Sequence, residues 1–118
     1  MELKFYQCEK CGKVLVYTEA LHLEGWKEIK AGEKEAAVEK HVPMVENKGN
    51  SVAVKVGSVS HPMTKEHLIE WVLLEKANGY EIKYMNADSV PEVCFALADQ
   101  DEVKAVYAYC NLHGLWKA

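Results

Sequence analysis

Two residues near the end of the chain, Cys110 and His113, stand three positions apart. A thiolate and an imidazole at this spacing can bind one metal ion. Three more histidines lie upstream in segments typical of loops, namely His41, His61 and His67. Prolines follow the first two closely, and a proline holds the residue before it in an extended conformation, so these loops should have a defined shape. We therefore expect all five residues to converge on one metal ion.

Five ligands limit both the metal and its chemistry. Four imidazoles and one thiolate exceed the tetrahedron of a structural zinc site, and they leave one position vacant on an octahedral ion. Imidazole suits iron, copper, nickel and zinc alike, but a thiolate bound to iron pushes electron density towards the opposite ligand, as in haem thiolate enzymes. We therefore favour one non-haem iron (Fe2+/Fe3+) per chain, with redox chemistry on a small molecule at the vacant position.

A second metal motif lies at the N-terminus, where Cys8 and Cys11 begin the sequence Cys-Glu-Lys-Cys-Gly. Such a C-x-x-C-G turn supplies two ligands of a tetrahedral site, and a second pair normally follows within about 15 to 20 residues. Residues 14–40 contain no cysteine. We therefore expect no second iron at Cys8 and Cys11, and leave open a site shared between two subunits. A fourth cysteine, Cys94, lies on a predicted strand and is expected to be a buried apolar residue.

Composition excludes several classes of protein. The chain has 118 residues, 49% of them hydrophobic and 27% charged, as in an ordinary globular domain. Its net charge of -4 argues against a nucleic-acid partner, since such domains carry a basic patch. No apolar run approaches the roughly 20 residues of a membrane span, and the N-terminus lacks the pattern of a signal peptide. We expect a cytoplasmic protein.

The pattern of hydrophobic residues predicts an all-β fold. Apolar residues alternate in five segments separated by polar turns, at residues 51–59, 68–76, 80–85, 93–97 and 103–109. In the second of these, Ile69, Trp71 and Leu73 are expected to share one face. Residues 14–30 alternate loosely and predict a hairpin turning near Gly25, and residues 31–40 read as a solvated linker. Short strands at this spacing are typical of a β-sandwich.

Three segments match a known family. The runs EKHVP (residues 39–43), HPMTKEHLIEW (residues 61–71) and CNLHGLW (residues 110–116) resemble the signature segments of the desulfoferrodoxin and neelaredoxin superoxide reductases. The resemblance implies an immunoglobulin-like β-sandwich at residues 36–118, preceded by a small desulforedoxin-like domain at residues 1–35. It further implies an iron with the four histidines equatorial and Cys110 axial.

The resemblance also implies an activity. Superoxide would be reduced to hydrogen peroxide, with a rubredoxin-like protein as electron donor, and we expect a homodimer. Lys40 would attract the superoxide anion and help to protonate the product, while Glu39 would occupy the sixth position on ferric iron. A desulforedoxin domain binds iron through C-x-x-C and a later adjacent cysteine pair, and this chain lacks that pair. The alternative function is a non-catalytic iron-binding electron-transfer protein, which would have no exchangeable position on its iron.

Overall fold

The computed structural model describes residues 2–118, and within this range nearly all regular structure is β-strand. One four-residue helix interrupts ten strands. In chain order the elements are β1 (Lys4–Cys8), β2 (Val14–Tyr17), β3 (Trp26–Ile29), α1 (Val38–His41), β4 (Pro43–Asn47), β5 (Ser51–Val56), β6 (Ile69–Lys76), β7 (Gly79–Tyr84), β8 (Glu92–Ala96), β9 (Val103–Cys110) and β10 (Gly114–Lys117). The all-β prediction is confirmed.

The strands form three antiparallel sheets. Four strands make the central sheet in the order β10-β9-β6-β7, and three make a second sheet in the order β4-β5-β8. The N-terminal strands form a third sheet in the order β2-β1-β3. Both faces of the central sheet are covered, which explains why β6 and β9 are buried along almost their whole length.

The main core lies between the central sheet and the second sheet. It contains the inward-facing residues of β5 and β8 together with alternate residues of β6 and β9: Val52, Val54, Val56, Phe95, Ile69, Val72, Leu74, Val106, Ala108 and Cys110. On the opposite face of the central sheet, Phe5 of β1 packs against Trp71 and Tyr107, with ring centroids 6.1 and 4.8 Å apart. The N-terminal sheet is therefore attached through an aromatic cluster.

Three predictions about local structure are wrong. Strands β2 and β3 do not form a hairpin with each other, because each pairs with β1, which lies between them. Ile69 faces the main core rather than sharing a face with Trp71, because a β-bulge between these residues shifts the register of β6 against β9. Cys94 is exposed, since Phe95 takes the inward position on β8.

No helix within residues 2–118 is long and apolar enough to cross a membrane.

Candidate metal centre

The candidate ligands lie where the strands of the central and second sheets begin and end. Cys110, the last residue of β9, pairs with Ile69 at the start of β6 and with Gly114 at the start of β10. In the second sheet, Pro43 at the start of β4 pairs with Val56 at the end of β5. Each histidine belongs to a segment leading into or out of these ends, so antiparallel pairing carries the ligands to one end of the molecule.

The four histidines form a closed ring of imidazoles. The centroids of neighbouring rings lie 4.7 Å apart for His41 and His61, 4.6 Å for His61 and His67, 5.1 Å for His67 and His113, and 5.0 Å for His113 and His41. Neighbouring ring planes meet at angles from 72° to 84°. Each ring therefore turns an edge, rather than a face, towards the next.

The sulfur of Cys110 lies beside this ring. One donor atom from each of His41, His61, His67 and Cys110 lies within 4.8 Å of the other three. His113 joins the group through Nδ1, which lies 3.9 Å from Cys110 Sγ. The structure thus brings together all five residues that the sequence singles out as metal ligands.

Backbone carbonyls fix the protonation of two of the imidazoles. Nδ1 of His41 donates to the Ala37 carbonyl at 2.7 Å, and Nδ1 of His61 donates to the Pro62 carbonyl at 2.6 Å. A carbonyl can only accept, so each neutral ring carries its proton on Nδ1 and a lone pair on Nε2. These two Nε2 atoms face each other at 3.2 Å. Two lone pairs at this distance repel unless a cation lies between them.

The geometry and the burial both fit a metal ion. Two nitrogens bound at right angles, each about 2.1 Å from one ion, would lie about 3.0 Å apart, close to the observed Nε2 separation. Nε2 of His67 is buried and has no hydrogen-bond partner among the described residues. A buried nitrogen without a partner is unfavourable, and a metal ion would satisfy it. The donor set therefore fits a metal that accepts imidazole nitrogen and thiolate sulfur.

Burial keeps three of the histidines, His41, His61 and His67, in the neutral form that binds metals. It lowers the pKa of His61 to about 4, and it lowers the pKa of His41 and His67 as well. The neighbouring imidazoles add to the lowering at each of these positions. At neutral pH all three rings are therefore unprotonated at one nitrogen, as a ligand requires.

Burial shifts the pKa of Cys110 upwards and those of these three histidines downwards, because in both cases it disfavours the charged form. The rise in the pKa of the Cys110 thiol is opposed by backbone amides, including the N–H of His113 at 3.4 Å from Sγ. The side chain belongs to the fully buried core. A thiolate there needs a cation to compensate its charge, and the adjacent imidazole nitrogens are arranged to hold one.

Two side chains hold the loop that carries His67. Thr64 Oγ1 accepts the His67 N–H at 3.1 Å, and the Thr64 N–H donates to the His67 carbonyl at 2.9 Å. Asn111 donates to the Glu66 carbonyl at 2.9 Å and accepts the Leu68 N–H at 3.1 Å, so it clamps the residues on both sides of His67. Threonine is a common residue at the start of a helix, but Thr64 closes a bend at residues 64–67 and no helix follows it there.

Trp116 of β10 was not predicted to take part. Its ring stacks on His41 with centroids 4.9 Å apart and planes 25° from parallel, and its Nε1 donates to the His113 carbonyl at 3.0 Å. It thus shields one imidazole and holds the backbone of another. Its signals in the sequence are its place three residues after His113 and at the end of the run CNLHGLW.

Glu39 and Lys40 lie on α1, directly before His41, and both are exposed. Their charges reach the ligands: Lys40 helps to lower the pKa of His41 and of His67, while Glu39 opposes the lowering at His41. Gly57, directly after β5, lies against the backbone of this segment. A Cβ at Gly57 would lie 2.7 Å from the Lys40 carbonyl oxygen and 2.8 Å from that of Glu39. The chain therefore approaches here as closely as glycine allows.

The N-terminal cysteines belong to a different part of the molecule. Cys8 ends β1, and Cys11 lies in the turn before β2, where it is exposed. Within residues 2–118 the side chains close enough together to hold a metal ion are those of His41, His61, His67 and Cys110, and neither N-terminal cysteine is among them.

Comparisons with known proteins show similarity over the part of the chain that holds this site. A family model described as desulfoferrodoxin matches residues 33–118, which include all five candidate ligands. A desulfoferrodoxin of Clostridium acetobutylicum is 47% identical over 90 residues, covering 76% of this chain and 70% of that protein. A desulfoferrodoxin of Syntrophotalea carbinolica is 36% identical over 127 residues, covering 99% of this chain and 96% of that protein.

A solved structure matches the whole chain. The crystal structure of the superoxide reductase from Treponema pallidum superposes with a TM-score of 0.88 at 40% sequence identity, covering 100% of this chain and 99% of the other. The match includes the N-terminal sheet as well as the two sheets that carry the metal centre. This chain therefore belongs to the desulfoferrodoxin family.

Proposed function

We propose that the chain is a superoxide reductase that reduces superoxide to hydrogen peroxide at one iron ion. The closed ring of four imidazoles beside Cys110 carries this proposal, because it provides five donors and leaves an octahedral ion one position for a small molecule. The whole-chain similarity to the Treponema pallidum superoxide reductase supports it.

The iron would be held by His41, His61, His67, His113 and Cys110. When bound in the ferrous state it would supply the single electron that converts superoxide to the oxidation level of peroxide. The protein determines the donor set, keeps the imidazoles of His41, His61 and His67 neutral through burial, and surrounds the ring with apolar core residues on one side and with Trp116 on another. This environment limits water on the ligand side of the site.

Lys40 is proposed to guide and protonate the substrate. The chain carries a net charge of -4, so an anionic substrate needs a local cation to approach. Lys40 is exposed on α1 directly before His41, and its charge acts on both His41 and His67, which supports this role. Reduction of superoxide to hydrogen peroxide consumes two protons, and an ammonium group there can hold one of them in place.

Glu39 is proposed as a further ligand to ferric iron. Its backbone is fixed by hydrogen bonds to its carbonyl from the Val59 N–H at 2.9 Å and from Ser58 Oγ at 3.3 Å, while its side chain is exposed. A fixed backbone with an exposed side chain allows the carboxylate to move without disturbing His41.

We also propose a finer description of the fold. Residues 36–118, which hold two sheets packed around one core, form an immunoglobulin-like β-sandwich, and residues 1–35 form a desulforedoxin-like domain without metal. The face-to-face packing of the central and second sheets supports the first assignment, and the separate N-terminal sheet supports the second. The presence of only Cys8 and Cys11 in that sheet supports the absence of a second iron.

The partners and location remain proposals from the family resemblance. We propose a rubredoxin-like electron donor, a homodimer and a cytoplasmic location. Free thiols at Cys8, Cys11 and Cys94 support a reducing compartment.

Pulse radiolysis of the iron-loaded protein tests the proposed function. Superoxide should disappear with formation of hydrogen peroxide and without release of oxygen, and azide should perturb the spectrum of the iron. Failure of azide to perturb it, together with slow decay of superoxide, would instead support a non-catalytic electron carrier.

A substitution at Lys40 tests its proposed role separately. Lys40→Ala should lower the bimolecular rate with superoxide by about three- to tenfold and weaken its dependence on ionic strength. Lys48→Ala removes an exposed charge between β4 and β5 and is the matched control. Equal rates and equal salt dependence in the two variants would refute the role of Lys40 in guiding the substrate.

A further inference from the structure

The turn between β1 and β2 holds two thiols side by side. The Cys11 N–H points at Cys8 Sγ, with 3.3 Å between nitrogen and sulfur. Both residues are free cysteines, with Cys11 exposed and Cys8 partly exposed. The proposed iron centre uses neither residue.

The turn that holds these thiols is well anchored. The Cys8 N–H donates to the Lys13 carbonyl at 2.8 Å, and the Gly12 N–H donates to the Cys8 carbonyl at 2.9 Å. Gln7 Nε2 donates to the Gly12 carbonyl at 3.1 Å and to the Tyr109 hydroxyl at 2.9 Å, which ties the turn to the central sheet. The hydrogen-bonded backbone of this turn therefore holds Cys8 and Cys11 near each other.

The surroundings of Cys8 favour a thiolate. Hydrogen bonds from the Cys11 side chain and from the backbone amides of Cys11, Lys10 and Gly12 lower the pKa of Cys8, outweighing the effect of burial. Successive backbone N–H groups that face one atom form an anion-binding nest.

We propose that Cys8 and Cys11 form a redox-active dithiol, which hydrogen peroxide oxidises to an intrachain disulfide and thiols reduce again. The source of peroxide rests on the proposed function, because superoxide reduction releases it within the same molecule. A metal is a weaker occupant, since two thiolates leave a tetrahedral ion two ligands short, and in the described part of the chain the other cysteines lie on β8 and in the iron centre.

The oxidation proceeds in two steps. The Cys8 thiolate attacks one oxygen of hydrogen peroxide, an S–O bond forms as the O–O bond breaks, and hydroxide leaves. The Cys11 thiol then attacks the Cys8 sulfenic acid, an S–S bond forms as the S–O bond breaks, and the departing hydroxide takes the Cys11 thiol proton and leaves as water. The hydroxide released from peroxide in the first step takes the proton that the Cys8 thiol had lost. In sum, the two sulfurs lose two electrons. One peroxide and the protons of the two thiols become two waters.

Reduction runs through the exposed sulfur. An external thiolate attacks Cys11, because this residue is the more accessible, and Cys8 leaves as a thiolate that the N–H of Cys11 stabilises. A second external thiol then releases Cys11, and the two reductant thiols end as a disulfide. A low-molecular-weight thiol or a dithiol reductant can supply this step.

The sequence provides a direct assay. Trypsin cuts after Lys4, Lys10 and Lys13, so Cys8 and Cys11 fall in separate peptides, residues 5–10 and residues 11–13. The purified full-length protein is treated with hydrogen peroxide, blocked with an alkylating reagent, unfolded, digested and analysed by mass spectrometry without reductant. The two peptides should appear joined, with loss of two alkylatable thiols per chain, and dithiothreitol should separate them.

Three variants assign the roles. Cys11→Ser should leave Cys8 as a sulfenic acid that a dimedone reagent traps, whereas Cys8→Ser should leave Cys11 as a thiol. Cys94→Ser removes another exposed thiol and should form the joined peptides as the wild type does. Separate peptides after peroxide treatment of the wild type, or Cys8 joined to Cys94 or to a second chain, would overturn the proposal.

Because the peroxide is added, this result does not depend on superoxide reduction. A protein that fails to reduce superoxide but forms the joined peptides would refute the proposed function and leave the dithiol in place. A protein that reduces superoxide and keeps both thiols free would do the reverse.

Discussion

Gly57 is the residue where the backbone of the second sheet comes closest to the segment that carries His41. Its φ is +85°, and a Cβ there would collide with the carbonyl oxygen of Val59 and lie 2.7 and 2.8 Å from those of Lys40 and Glu39. Gly57→Ala should therefore destabilise the protein in two ways. A positive φ costs a non-glycine residue about 1–2 kcal/mol, and relieving contacts this short with backbone atoms costs about 1–3 kcal/mol.

The two contributions can be separated with a second glycine. Gly49 has a φ of +91°, and a Cβ there would have no heavy atom within 4 Å, so Gly49→Ala carries the backbone strain without the collision. Urea unfolding should give a loss of about 2–5 kcal/mol for Gly57→Ala, and of about 1–2 kcal/mol or less for Gly49→Ala.

Iron content provides a second measurement on the same variants. Moving the carbonyls of Glu39 and Lys40 displaces the backbone next to His41, so Gly57→Ala should retain less iron per chain after dialysis against a chelator, while Gly49→Ala should match the wild type. Free energies of unfolding within about 0.5 kcal/mol of each other for the two variants would show that the close approach at Gly57 does not support this segment.

Three further outcomes are expected. Asn111→Ala removes both hydrogen bonds that clamp the loop of His67, and should weaken iron binding about tenfold in a chelator competition, whereas Asn47→Ala at the exposed end of β4 should not. Metal analysis should give about one iron per chain, and about one and a half would contradict the absence of metal at Cys8 and Cys11. Asp101→Asn should lower Tm at neutral pH, because a backbone N–H from Ala98 and the ammonium of Lys76 lower the pKa of Asp101. This contribution is present above the ordinary carboxyl pKa of about 4 and is lost as pH falls through the lower folded value, so the difference in Tm should vanish in acid; a difference that persists there would refute the ion pair as its cause.

The candidate ligands could be predicted because their chemistry is carried by residue type. Histidine beside proline and cysteine near histidine are visible in the sequence, and the pairing of strand ends then brings them together. Asn111 and Trp116 could not be found in this way. Their roles depend on which loop lies next to them, and neither residue type by itself indicates a clamp on His67 or a shield on His41.

Two of the errors in the fold have a common cause in contacts that are distant in sequence. Alternation correctly indicates strands, but it does not say that β1 lies between β2 and β3. It also assumes an unbroken ladder, whereas the bulge between Ile69 and Trp71 turns Ile69 to the other face. Cys94 is an error of a different kind, because alternation along β8 favours Phe95 as the inward residue, and this preference outweighs the apolar character of cysteine.

The position of Cys110 links the metal centre to the register of the central sheet. Along β9, Val106, Ala108 and Cys110 face the main core, while Tyr107 and Tyr109 face the N-terminal sheet. A slip of one residue would exchange these two sets and turn the thiol away from the imidazoles. Two large tyrosines would then have to enter the space of a valine and an alanine, which the close packing of the core opposes. The same alternation that fills the two cores therefore fixes the face on which the thiol ligand stands, so that folding of β9 and assembly of the metal centre depend on one register.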